Sequence, residues 1–290
     1  MARRRSKGSA LPLPVLGVLL AFCFLIYLYD GMAARNTPGD VSGTVAVHFI
    51  DVGQGDSILI TTESGAMLID TGENEYAQTV IDYIRAQGVA KLDYAVATHP
   101  HADHMGGMAK IIDAIPIETF LAPDVTHTTN AFEKMLDALE ARGLGITTPA
   151  VGTRYTMGEA VFTILAPANP KENDLNNASL VIRMDYGGTS FLFTGDAESA
   201  SEAEMLASGR ALDCDVLKVG HHGSDTSSSK AFLSSVSPGI AVISCGVGNS
   251  YGHPHAEAVK RLQNIDASIL RTDLEGTIVL VTDGVNITQR

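Results

Sequence analysis

Apolar positions along this chain fall into three rhythms. From Leu11 to Tyr29 the sequence is uncharged and almost wholly apolar, broken only by Pro12 and Pro14. From Thr44 onward, short apolar runs recur between Gly, Asp and Pro residues. They cover Thr44–Ile50, Ser57–Thr61, Ala66–Ile69, Leu92–Ala97, Ala160–Leu165, Ser190–Phe193, Leu217–Val219, Ala241–Cys245, Ser268–Arg271 and Thr277–Val281. Their length and bounding residues predict buried strands. Between them, apolar residues spaced by three and four predict helices over Tyr76–Gln87 (Val80, Ile81, Ile84), Met108–Ile112 and Ala131–Arg142 (Phe132, Met135, Leu136, Leu139). A further helix is expected from Ala256. The order runs twice through strands and then a helix, with polar clusters at strand ends.

The first rhythm is long enough to cross a bilayer as a helix. Arg3, Arg4, Arg5 and Lys7 precede it. Basic residues there predict a cytoplasmic N-terminus and an exported remainder. A cleaved signal peptide competes, with Met32-Ala33-Ala34 as a small-residue site. The run's length and its bulky Phe22, Phe24, Tyr27 and Tyr29 favour an uncleaved anchor. The expected organisation is a basic start and anchor over 1–34, a polar linker over 35–43 and one folded domain over 44–290. A secreted protein is expected if the leader is cleaved.

Charge narrows the partners. The formal net charge is −13, and the first 34 residues hold four basic side chains against one acid. The domain is therefore more acidic still, which argues against tight non-specific binding to nucleic acid. It leaves room for a hydrolase whose metal ions make the phosphate contact. Of three cysteines, Cys23 lies in the leader, while Cys214 and Cys245 sit in apolar runs and read as buried thiols.

The chemistry concentrates in Thr98-His99-Pro100-His101-Ala102-Asp103-His104, directly after the Leu92–Ala97 strand. Three of nine histidines fall within six residues. His99 and His101 share one side of an extended segment. Asp103 and His104 follow as the chain turns toward a second point. Imidazole with carboxylate suits zinc or a similar divalent ion, and an acidic bridge lets two ions sit side by side. Gly53 and Gly55 bracket Gln54 in a tight turn whose backbone lies close to something. His48 reads as a strand residue and His127 as a solvated bystander.

His-x-His-x-Asp-His after a strand resembles the signature of the metallo-β-lactamase superfamily. Asp51-Val52-Gly53-Gln54-Gly55-Asp56-Ser57, Asn176-Asn177-Ala178-Ser179-Leu180-Val181 and Asn249-Ser250-Tyr251-Gly252-His253-Pro254-His255 narrow the resemblance. They look like the catalytic domain of the ComEC family of DNA-internalisation competence proteins, over about residues 45 to 285. The resemblance implies an α/β, four-layer αββα sandwich, which would follow the N-terminal transmembrane helix expected from residues 11–29. It implies two divalent metal ions, zinc or manganese. One is held by His99, His101 and Asp196, the other by Asp103, His104, Asp196 and His222. Asp70 would support the histidine loop. Asn176 or Asn177 stands where many relatives place a third zinc histidine, so water or a weak amide oxygen would fill that place. Gln54, Asp56, Asn177, His221, Tyr251 and His253 would border the substrate. Asp103, His221 and His253 would be catalytic, with His221 contacting phosphate and His253 binding substrate or protonating the leaving oxygen. The roles of His221 and His222 are open to exchange. His255 is expected to cap the helix that follows.

The implied function is a membrane-anchored, extracytoplasmic phosphodiesterase or nuclease acting on single-stranded DNA through a metal-activated water. The alternatives are a phosphodiesterase acting on wall phosphate esters such as teichoic-acid phosphocholine, and a non-catalytic metal-binding protein. The expected partners are a phosphodiester substrate and the membrane, through residues 11–29; no protein partner is expected.

Overall fold

The computed structural model describes residues 43–290. The expected anchor, Cys23 and nearly all of the linker lie outside the described residues. Among the described residues no helix is long and apolar enough to cross a membrane.

Two mixed sheets form the centre. In the eight-stranded sheet, spatial order runs Ile287–Gln289, Ile278–Thr282, Val45–Phe49, Ile58–Thr61, Ala66–Ile69, Leu92–Val96, Ile117–Leu121, Ile146–Thr147. The pairings from Ala66–Ile69 through Ile146–Thr147 are parallel; the others are antiparallel. In the seven-stranded sheet the order is Ser268–Arg271, Ile240–Ile243, Val216–Lys218, Thr189–Phe193, Val181–Tyr186, Ala160–Ala166, Arg154–Met157. There the first four strands are mutually parallel.

Strand alternation sorts side chains into layers. Val45, Val47 and Phe49 point between the sheets and meet Phe162, Ile164, Phe191 and Phe193. Phe49 and Phe193 lie 6.4 Å apart, centroid to centroid. Leu59, Leu68 and Ala95 face the other way, onto Val80, Ile81, Ile84, Met108 and Ile111 of helices Ala77–Ala86 and Met108–Ala114. On the far side, Leu192, Leu217 and Ile243 pack on Met205, Phe232, Leu233 and Leu262. Those four come from helices Ser199–Ala207, Lys230–Val236 and Ala256–Gln263. The result is helix, sheet, sheet, helix. Each fully buried Leu, Ile or Phe contributes about 1.5–3 kcal/mol relative to exposure, so these three clusters dominate the stabilisation.

Five strands lack the expected apolar signal: Ile117–Leu121, Ile146–Thr147, Arg154–Met157, Val181–Tyr186 and Ile287–Gln289. Ile146–Thr147, Arg154–Met157 and Ile287–Gln289 lie at sheet edges and expose much of their surface. The other two are interior: Ile117–Leu121 is partly exposed over its first three residues, and Arg183 and Asp185 interrupt Val181–Tyr186, so neither carries that signal. Helix Ser199–Ala207 also lacks it, because its packed face includes Ser201 and Glu202. The Glu202 carboxylate accepts the Ser228 and Ser229 backbone N–H groups, which makes its burial tolerable.

Parallel strands bring their carboxyl ends to one edge. Asp70 follows Ala66–Ile69, the histidine loop follows Leu92–Val96, Asp196 follows Thr189–Phe193, and His221 and His222 follow Val216–Lys218.

Candidate metal centre

The histidine loop is folded against a fixed frame. Asp70 is completely buried and accepts from the Thr98 backbone N–H at 2.8 Å and from the Thr98 hydroxyl at 2.6 Å. Its Oδ2 also accepts a hydrogen bond from His104 Nδ1 at 2.8 Å. With that hydroxyl committed to Asp70, Thr98 Oγ1 accepts from His99 Nδ1, 3.2 Å away. The turn at Gly55 closes the frame. A Cβ there, at φ +141°, would sit 2.2 Å from the Asp103 carbonyl oxygen, which accepts the Asp56 N–H.

These contacts decide where the imidazole lone pairs point. The neutral His104 ring keeps its proton on Nδ1, donating to Asp70, which leaves Nε2 unprotonated. His222 Nδ1 donates to the Ser244 carbonyl at 3.0 Å, which leaves its Nε2 likewise. The two Nε2 atoms face each other at 3.2 Å. His99 Nε2 faces His101 Nδ1 at 3.0 Å. Between the pairs stands Asp196, 2% exposed. Its Oδ1 lies 3.1 Å from His104 Nε2 and 3.4 Å from His222 Nε2, and its Oδ2 lies 3.8 Å from His99 Nε2. Asp196 Oδ1 is buried without a hydrogen-bond partner.

Two ligand groups emerge from this convergence. Asp103, His104, Asp196 and His222 each offer one atom within 4.8 Å of the rest, and so do His99, His101 and Asp196. Opposed lone pairs and an orphaned carboxylate oxygen are unfavourable alone and are satisfied by cations, so the residues fit two divalent ions. The electrostatics agree. Burial opposes protonation of His104, yet Asp196, Asp103 and Asp70 outweigh it and hold its pKa well above the usual value. His222 behaves alike: burial is overcome by Asp196 and Asp103, and its pKa rises to about 9. Asp196 is buried, yet the neighbouring His104 and His222 keep it well below the carboxylate range. The pocket attracts positive charge.

A cavity of about 300 Å³ opens over these groups, lined in part by Gln54, Asn176, His221, Tyr251 and His253. His221 and His222 both adopt left-handed backbone (φ 47° and 52°), a strained conformation for non-glycine residues. It turns the consecutive rings apart, His222 into the ligand group and His221 to the cavity wall. His221 Nδ1 donates to Glu198 at 3.0 Å. Gln54 Oε1 accepts the Gly246 N–H, which turns its Nε2 toward His253 Nδ1 at 3.5 Å. Tyr251, 65% exposed, stacks on His253 with ring centroids 5.7 Å apart.

Two expected substrate contacts lie elsewhere. Asp56 is 1% exposed and pairs with Lys218 behind His222, so it does not reach the cavity. Asn177 is folded back: its Oδ1 accepts the Glu198 and Ser201 N–H groups and its amide donates to Asp174. His255 sits at the start of helix Ala256–Gln263 without capping it. Its Nδ1 accepts the Asp225 N–H and its Nε2 faces the Tyr251 carbonyl, so it braces two loops. His127 joins neither ligand group; it is half-buried in its loop, with Nδ1 3.1 Å from the Thr129 hydroxyl and its ring 6.2 Å from that of His101. Lys218 and Glu198 escaped the sequence reading. A lysine inside the apolar run Val216–Val219 was the available signal for the first; the second carried none.

The chain belongs to the metallo-beta-lactamase superfamily, whose family model matches residues 50–247. Among curated relatives it is 31% identical to ComE operon protein 3 of Bacillus subtilis over 90% of this chain and 35% of that protein. It is 33% identical to Competence protein ComA of Neisseria gonorrhoeae over 93% of this chain and 39% of that protein. Recombination protein 2 of Haemophilus influenzae is 31% identical over 90% of this chain and 31% of its own length. The chain therefore spans about a third of the length of the curated relatives it matches. Among solved structures, the metallo-beta-lactamase fold protein YhfI from Bacillus subtilis superposes with a TM-score of 0.55 at 12% identity. The superposition covers 83% of this chain and 100% of that one, a likeness of fold.

Proposed function

We propose that this protein is a metal-dependent phosphodiesterase that cleaves single-stranded DNA outside the cytoplasm, anchored through residues 11–29. The observation that carries the reading is Asp196, whose two oxygens face the two ligand groups. Competence and recombination stand in the names of two of the relatives, which supports DNA as substrate. The flanking motifs around Gln54 and Tyr251 support the same assignment.

Two divalent ions, zinc or manganese, would supply an activated water and neutralise phosphate charge. His99, His101 and Asp196 would hold one; Asp103, His104, Asp196 and His222 would hold the other. His221, fixed by Glu198 through Nδ1, presents Nε2 to the cavity as a contact for the phosphate. His253 is held largely neutral: burial and the nearby His222 and His221 push its pKa down to about 4. With Nδ1 facing the Gln54 amide, its Nε2–H is a hydrogen-bond donor for a phosphoryl or leaving oxygen. Tyr251 offers an exposed ring on which a base can stack.

The test is the purified full-length chain, with manganese or zinc, against single-stranded DNA, bis-p-nitrophenyl phosphate, a phosphocholine ester and a chromogenic lactam. Metal-dependent cleavage of DNA is expected. Rapid phosphocholine release without DNA hydrolysis would replace this reading with the wall-ester one.

A further inference from the structure

The first ligand group has three protein donors, His99, His101 and Asp196, one short of four-coordination. We propose that the side-chain oxygen of Asn176 is the fourth, making this position two nitrogens and two oxygens and tuning it away from zinc toward harder ions such as manganese. The proposal rests on the dinuclear reading above.

Three observations converge on Asn176. It opens the one-turn 3-10 segment Asn176–Ala178 and lines the cavity together with His101, Asp196 and His221. Its Nδ2 donates to Glu198 Oε1 at 3.1 Å. A carboxylate accepts and cannot donate, so this contact fixes the amide: nitrogen toward Glu198, oxygen away from it. That oxygen, Oδ1, is buried and has no hydrogen-bond partner. A buried orphan carbonyl costs about 1–3 kcal/mol unless something positive meets it. An acceptor suits a cation and repels a phosphate oxygen, which argues against a direct role on the substrate.

Glu198 is the positioning residue. Its Oε1 also accepts from His221 Nδ1 at 3.0 Å and the Thr226 hydroxyl at 2.9 Å. One carboxylate thus orients both Asn176 and His221. The neighbouring Asn177 is spent on the Glu198 and Ser201 N–H groups and holds Glu198 in place from behind. Amide oxygen and carboxylate ligands suit manganese and magnesium, whereas an additional imidazole would suit zinc.

The experiment is metal titration of the demetallated full-length chain, following free manganese by electron paramagnetic resonance and zinc by calorimetry. The wild-type chain should take up two manganese ions with unequal affinity. Asn176→Leu should weaken the weaker site at least tenfold and leave the tighter one unchanged, which also reports an intact fold. Glu198→Ala should weaken the same site, and the double variant should be no worse than Asn176→Leu alone. Asn176→His should shift that site's preference toward zinc tenfold or more, and decides the matter if Asn176→Leu does not fold. Two ions bound with wild-type affinity by Asn176→Leu, or an unshifted preference in Asn176→His, overturns the assignment of Asn176 while the dinuclear centre stands. A wild-type chain that takes up no ions overturns both.

Discussion

Lys218 Nζ lies 2.9 Å from Asp56 Oδ2, and neither side chain is more than 1% exposed. Lys218 belongs to one sheet and Asp56 to a loop of the other. Asp56 Oδ1 also lies 3.4 Å from His222 Nδ1. Burial alone would raise the Asp56 pKa, yet the lysine ammonium outweighs it and holds the carboxyl below its usual range. The pair therefore backs His222, an imidazole of the second candidate ligand group, with a fixed charge.

Breaking this pair should cost more than removing it. Lys218→Met leaves a buried carboxylate uncompensated, and a loss of about 3–5 kcal/mol is expected. The double variant Lys218→Met/Asp56→Leu should recover part of that loss. Urea denaturation of the two singles and the double, read as a cycle, checks it.

Removing either the shared carboxylate Asp196 or the carboxylate Asp103 should abolish turnover. Asp196→Ala and Asp103→Ala are expected to lower cleavage of single-stranded DNA and bis-p-nitrophenyl phosphate by about a thousandfold or more, some 4 kcal/mol in the barrier. Metal content by elemental analysis should fall in the same variants.

Asp70 touches no cavity atom but holds His104 and Thr98. Asp70→Ala should weaken metal binding by about 10–100-fold, as loss of a ligand's supporting hydrogen bond does elsewhere. Equilibrium dialysis measures it directly.

Tyr251→Ala should raise KM for single-stranded DNA while sparing an oligonucleotide without bases. A stacked base is worth about 1–3 kcal/mol, so roughly 5- to 150-fold is expected. Steady-state kinetics on the two substrates separates stacking from misfolding.

His48 gives a pH dependence remote from the centre. It lies in strand Val45–Phe49, with Nδ1 3.0 Å from the Tyr83 hydroxyl and Nε2 buried without a partner. Burial and the nearby Arg290 lower its pKa to about 4. The folded chain keeps this ring neutral while the unfolded chain protonates it below about pH 6.5. Its contribution is therefore intact above that pH and lost as pH falls toward 4, on the order of 2–3 kcal/mol. His48→Gln should flatten the fall in urea midpoint between pH 6.5 and 4 relative to wild type.

Much of the fold was legible because interior strands such as Val45–Phe49 and Ala66–Ile69 must be apolar to be buried. Strands with polar or exposed positions were not: edge strand Arg154–Met157 draws its register from a neighbour, and interior strands Ile117–Leu121 and Val181–Tyr186 carry Glu118, Arg183 and Asp185 in their runs. The candidate ligands His99, Asp196 and His222, and the supporting Asp70, each follow an apolar strand, which made their neighbourhood legible; the roles of Asp196 and His222 came from the resemblance. Asp56 was misread because an acid beside glycines looks the same whether it faces solvent or a buried lysine 162 positions away. Asn176 and Asn177 are adjacent and identical, and only the 3-10 turn decides which one meets the cavity.

His99, His101, Asp103 and His104 hang from one half of the sandwich, Asp196 and His222 from the other. Cations seated among them would clasp the two halves along their shared rim, so loading and folding are linked. A chelator should act first as a mechanical loosening there, freeing the histidine loop and the His221–His222 corner to separate before any of the three hydrophobic clusters gives way.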